Sequence, residues 1–196
     1  MKRKFLFALA ALGACLLLAG CGSKTNSAAS GGDACMPALT QDDLLEQSTL
    51  IVRGTVTEQS APFDIAPTNG GDASSFIDHT VSVTETLYGE AGAPSVVVRT
   101  EAANTAAGTS SSTADLAAQL PMDTELLLFL REPDAADLYR TEGVYYYVTG
   151  REQGAYVRDT DSGTVQFVNT QSTPELPEVW QLDELKQVIR DHAHDN

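Results

Sequence analysis

The sequence predicts a mainly β domain on three observations. Apolar and polar residues alternate with period two over most of the chain, turn-forming residues separate the alternating runs, and one run with three- and four-residue spacing closes it. Thr40 precedes Gln41, Asp42 and Asp43, an N-cap followed by acidic residues, so a short helix opens the domain. Leu50, Val52 and Val56 then alternate with Arg53, Thr55 and Thr57 in a first strand. After the Pro/Gly-rich stretch APFDIAPTNGGDASS, a long second strand sets Ile77, Val81, Val83 and Leu87 against Asp78, Thr80, Ser82, Thr84 and Thr86, ending at a turn near Gly89. PSVVVRT from Pro94 is the third strand. TELLLFLR from Thr124 is the fourth, apolar on both faces and therefore expected deep in the sheet.

Between these two strands, STADLAAQLP predicts a short helix capped by Ser112 or Thr113 and presenting Leu116 and Leu120. GVYYYVT from Gly143 and the hairpin AYVRDTDSGTVQFV, turning at Asp161-Ser162-Gly163, supply the remaining strands. Val179, Leu182, Leu185, Val188 and Ile189 make the segment from Glu178 to His192 an amphipathic helix packed on the sheet. Five to seven strands, with a short helix between the third and fourth and a C-terminal amphipathic helix, is the order of an OB-like Greek-key barrel.

Ahead of the domain, Lys2, Arg3 and Lys4 precede an apolar stretch from Phe5 to Ala19, then small residues and Cys21. That stretch is shorter than the roughly 20 residues of a spanning helix. Its basic and apolar regions and small-residue end read as a secretory signal over residues 1–20. Leu18-Ala19-Gly20-Cys21 resembles the lipobox of bacterial lipoproteins. The resemblance implies that the signal peptide is cleaved and that the Cys21 thiol carries diacylglycerol. The chain is then anchored to the outer face of the bacterial cell membrane, or is periplasmic or on the outer membrane where the envelope has two membranes. Residues 21–35, with GSKTNSAASGG from Gly22, have the composition of a flexible tether. The folded domain is expected over residues 36–192, with a frayed tail at 193–196.

Loss of the signal removes three of 12 basic residues and none of 27 acidic ones, leaving 9 against 27 and a formal charge of −18. Nucleic-acid affinity rests largely on Lys and Arg neutralising phosphate, so nucleic acid is not an expected partner. Cys35 is the one cysteine left outside the signal and the anchor. It is either a free thiol near the tether or half of an intermolecular disulfide.

The strand run LIVRGTVTEQS, HTVSVTETLYGE, SVVVRT and LPMDTELLLFL, over about residues 35–131, resembles the netrin-like domain of the tissue inhibitors of metalloproteinases. Uncharacterised exported bacterial proteins share the run. The resemblance implies the barrel. It does not imply inhibition, because those inhibitors use a free amino-terminal cysteine clamped by disulfides, whereas Cys35-Met36-Pro37 lies inside the chain.

The candidate chemistry is sparse. His79 shares a strand face with Ile77, Val81 and Val83, which makes it a hydrogen-bonded, partly buried histidine or a catalytic base. Gly-x-Ser-x-Gly is absent. His192, His194 and Asp195 lack further ligands at fixed spacing, and DTDSGT has its glycine fifth rather than sixth, so neither metal nor cofactor is expected. In GVYYYVT, Tyr145 and Tyr147 share one face and Val144, Tyr146 and Val148 the other. Tyr145 and Tyr147 are the candidate ligand-binding residues, unless the C-terminal helix covers them with Trp180 and Leu182. The expected function is a non-enzymatic, surface-anchored binding module for a peptide, protein or glycan. The alternative is an exported hydrolase.

Overall fold

The computed structural model describes residues 38–102, 120–169 and 175–195. A short helix, α1 (Gln41–Glu46), leads into β1 (Leu50–Gln59), β2 (Phe63–Ile65), β3 (Ser74–Tyr88) and β4 (Ser95–Glu101). Then come β5 (Glu125–Arg131), β6 (Tyr146–Val148), β7 (Ala155–Arg158), β8 (Gln166–Asn169), β9 (Val179–Gln181) and a closing helix, α2 (Leu182–Asp195). The expected helix at 112–120 falls almost wholly outside the described residues.

Five strands close a barrel in the spatial order β1-β3-β4-β6-β5, with β5 pairing back onto β1. All contacts around the ring are antiparallel except β4–β6, which is parallel. This is the OB-like Greek key that the order of elements predicts. β2 pairs only with β3, and β7, β8 and β9 extend the sheet outward from β5.

Alternation assigns the two faces of β5, and both are buried. Leu126, Leu128 and Leu130 point into the barrel with Val52, Val56, Val81, Val98, Tyr146 and Val148. Leu127 and Phe129 point outward into a second core layer, where they meet Tyr156, Phe167 and Trp180 from the outer strands, Leu44 and Leu45 from α1, and Leu185 and Ile189 from α2. All five β5 residues have 0% exposure, so the strand lies between two cores, as its run of apolar residues predicts.

The ends of the elements follow local chemistry. Thr40 caps α1: its hydroxyl accepts from the Asp43 N–H, and the Asp43 carboxylate accepts from the Thr40 N–H, a complete capping box. At Gly54, β1 and β3 approach closely beside a register shift, and a Cβ there would lie 2.5 Å from the Ser82 carbonyl oxygen. Only glycine fits without movement. The C-terminal helix begins later and runs further than its apolar spacing predicts. Val179 and Trp180 pair with Val168 and Phe167 as β9, because sheet pairing satisfies their backbone where a first helical turn would not. At the other end the helix continues through Ala193 to Asp195 instead of fraying, with His192 and His194 in its last turn, where donors suit the open carbonyls. One ion pair ties α2 to the barrel wall, Lys186–Glu85 at 2.6 Å, and it continues into a strand network of Arg53–Glu85 at 3.2 Å, Arg53–Glu125 at 2.7 Å and Arg158–Glu125 at 3.8 Å. No helix among the described residues is long and apolar enough to cross a membrane.

Candidate functional site

The barrel closes through β6, and its register decides which polar residues meet. Tyr147 lies opposite Arg99 of β4 on one side and Arg131 of β5 on the other. Residues far apart in the chain thus form a single rung, arginine–tyrosine–arginine, on the outer face of the barrel. A cleft of about 840 Å³ opens over this rung. The residues that follow β5 form its far wall, with Asp134, Asp137 and Tyr139. That wall is pinned: the Thr68 N–H donates to the Leu138 carbonyl at 2.9 Å, Asp134 and Asp137 each accept from a backbone N–H two residues on, and the Tyr139 ring packs 5.6 Å from Phe76.

The two arginines of the rung differ. Arg99 is 7% exposed, and its Nε and Nη2 donate to the two Asp78 carboxylate oxygens at 2.7 and 2.9 Å, while Nη1 donates to Thr141 Oγ1 at 2.7 Å. Its guanidinium lies over the Tyr145 ring at 3.8 Å and the Phe63 ring at 5.1 Å. Burial opposes the charge, yet hydrogen bonding to Asp78 and the Asp78 charge, with Tyr145 and Tyr147, raise its pKa overall. Arg99 is a structural cation. Arg131 is half-buried, with its guanidinium 5.2 Å from the centre of the Tyr147 ring.

Tyr145 and Tyr147 share a face, as alternation predicts, but their exposure differs. Tyr145 is 3% exposed: Arg99 covers one face, Tyr147 meets it edge-on at 5.5 Å, and its hydroxyl accepts from the Thr141 N–H at 3.0 Å. It has no free face for a ligand. The covering group is Arg99, not the C-terminal helix, because Trp180 and Leu182 belong to the second core layer. Tyr147 is half-buried and lines the cleft. Burial pushes its hydroxyl well above the ordinary tyrosine range, and the Asp137 charge and a hydrogen bond with Tyr145 add to the rise. It therefore remains a neutral donor. Val144 projects into solvent, 82% exposed, and Tyr146 fills the barrel.

Arg151 completes the rim. It has φ +58°, a left-handed conformation uncommon outside glycine, directly after Gly150 at φ +63°. Glycine suits this turn at position 150, where a Cβ would also lie 2.5 Å from Leu39 Cδ1. Arg151 reaches Glu101 at 3.3 Å in an exposed pair. Such strain costs about 1–3 kcal/mol and concentrates at ligand clamps.

The remaining candidates separate from the cleft or from chemistry. His79 is fully buried, where the sequence predicts partial burial, and its Nε2 is hydrogen-bonded to Thr100 Oγ1 at 3.0 Å. Burial lowers its pKa to about 4, the Asp78 charge opposing. Thr100 lines the cleft, but His79 Nδ1 has no hydrogen-bond partner among the described residues, which therefore give the pair no orienting group of a triad. His192 and His194 stand two apart on α2 and so do not face one another. Among the described residues no group of three or more His, Cys, Asp or Glu is arranged to hold a metal. DTDSGT is the β7–β8 turn, in which Asp159 accepts from the Asp161 N–H at 2.9 Å and from Gln166 at 2.6 Å.

Residue spacing misses Arg99, Arg131 and Arg151. The available signal is composition: VVVRT and LLLFLR each place a cation at the end of an apolar strand in a strongly acidic chain. No protein-family model matches the chain, and a search of curated proteins finds no match.

Proposed function

We propose that this chain is a surface-anchored lipoprotein held by acyl chains on Cys21, and that its OB-like domain is a binding module for a peptide, protein or glycan. The binding site is the cleft over Tyr147. One observation carries this reading: the barrel register gathers an aromatic ring and the cations of separate strands beneath a pinned wall, in a cavity of ligand size. The strained Arg151 at the rim supports it.

The test uses the full chain in detergent micelles, screened against arrays of cell-envelope peptides and glycans beside Tyr147→Ala. A ligand bound by the wild type and weakened at least tenfold by Tyr147→Ala, with thermal unfolding unchanged, is expected. A ligand indifferent to Tyr147 places binding elsewhere. For the anchor, labelled palmitate should enter the wild type and not Cys21→Ala, and a mature chain beginning at another residue refutes the lipobox reading.

A further inference from the structure

The part-buried cations of the domain follow a rule with one exception. Arg53 is held by Glu85 and Glu125, Arg99 by Asp78, Arg158 by Glu125 and Lys186 by Glu85. Arg131, half-buried like them, makes no ion pair and no side-chain hydrogen bond among the described residues. A guanidinium carries five N–H donors in a planar fork, and burying it without acceptors is unfavourable. The Tyr147 ring 5.2 Å away gives it a contact but takes none of those donors as a carboxylate would. Acids are at hand, since Glu132, Asp134 and Asp137 line the same cleft, yet none comes within ion-pair distance of Arg131. Asp134 and Asp137 accept from the wall's own backbone, and Asp137 faces Tyr147 rather than Arg131.

We propose that the cleft takes its ligand through a single carboxylate seated on Arg131, in the two-bond planar geometry that guanidinium and carboxylate share. This rests on the cleft being the binding site. The carboxylate must be single. Glu101, Glu132, Asp134 and Asp137 surround the position, and a polyanion would set its further charges against them. The rest of the ligand is therefore neutral or cationic. Arg151, in a loose and exposed pair with Glu101, is free to turn toward the same group. Two sources supply this chemistry, the carboxyl end of a peptide and the carboxyl of an acidic sugar.

The experiment follows the arginine Nε–Hε NMR signals of the full chain in micelles during four titrations. The probes are a pool of acetylated pentapeptides with free carboxyl ends, the same pool amidated, glucuronate and glucose. One carboxylate probe should shift the Arg131 signal and bind at least tenfold more tightly than its neutral counterpart, and Arg131→Gln should erase that difference. A response to the acid peptides alone assigns the peptide end, and a response to glucuronate alone assigns the sugar acid. Equal binding of acid and neutral probes that is still lost in Tyr147→Ala overturns the carboxylate while leaving the binding module intact. No shift at Arg131 with any probe overturns the proposal outright. The acid-against-neutral comparison is made on the wild type, so it stands even where a variant fails to fold.

Discussion

Truncating Leu128 to alanine tests the placement of β5 between two cores. Leu128 has 0% exposure and faces the barrel interior, paired with Val52 on one side and Ala155 on the other. The change removes three carbon atoms, about 2.4 kcal/mol at roughly 0.8 kcal/mol each. A residual void of about 50 Å³ adds about 1 kcal/mol at roughly 24 cal/mol per Å³. The expected loss is about 3–4 kcal/mol, a large share of the roughly 5–15 kcal/mol that holds a domain together. Thr84→Ala is the control: Thr84 is exposed on β3, and the change should stay within about 0.5 kcal/mol. Urea unfolding followed through Trp180, the single tryptophan and only 4% exposed, reports both variants. Midpoints that differ by less than about 1 kcal/mol in stability would refute the double-sided burial of β5 and the barrel built on it.

Two further outcomes follow from buried groups. His79 has a pKa lowered to about 4 in the folded state, so the unfolded chain binds the extra proton between about pH 6.5 and 4. Its contribution is complete above about pH 6.5 and is lost as pH falls toward 4, on the order of 3 kcal/mol; His79→Gln should flatten that part of the stability profile, and an unchanged slope assigns it to other groups. Gly54→Ala should cost about 1–3 kcal/mol, because the new methyl meets the Ser82 carbonyl, whereas Gly163→Ala, with nothing within 4 Å, should be near neutral in the same unfolding assay.

The barrel was legible where one residue type dominates a face. Alternation from Leu50 and through Ile77, and the unbroken apolar run of β5, reflect burial that each strand experiences locally. β2 and β9 were not legible as strands, since β2 lies inside the Pro/Gly-rich stretch, β9 runs straight into the apolar spacing of α2, and the pairing of each depends on its partner strand. The same limit hid the site. Nothing near Arg99 or Arg131 signals that both will flank Tyr147, because that follows from the register of barrel closure. Tyr145 shows the converse: its face was correctly assigned, but its availability was decided by Arg99, 46 positions earlier in the sequence, folding over the ring. Trp180 and Leu182, plausible covers by hydropathy, instead serve the outer core layer built on Leu127 and Phe129.

The central claim is that a ligand occupies the cleft over Tyr147 while the protein is in its native setting. Photo-oxidative footprinting tests this without knowledge of the ligand, by comparing the anchored protein on intact cells with the same protein purified in micelles. An occupied cleft predicts that Tyr147 and Tyr139, which line it, are oxidised several-fold less on cells, while Val144, outside the cleft and 82% exposed, reacts equally in both. Equal oxidation of Tyr147 and Tyr139 in the two settings would contradict it.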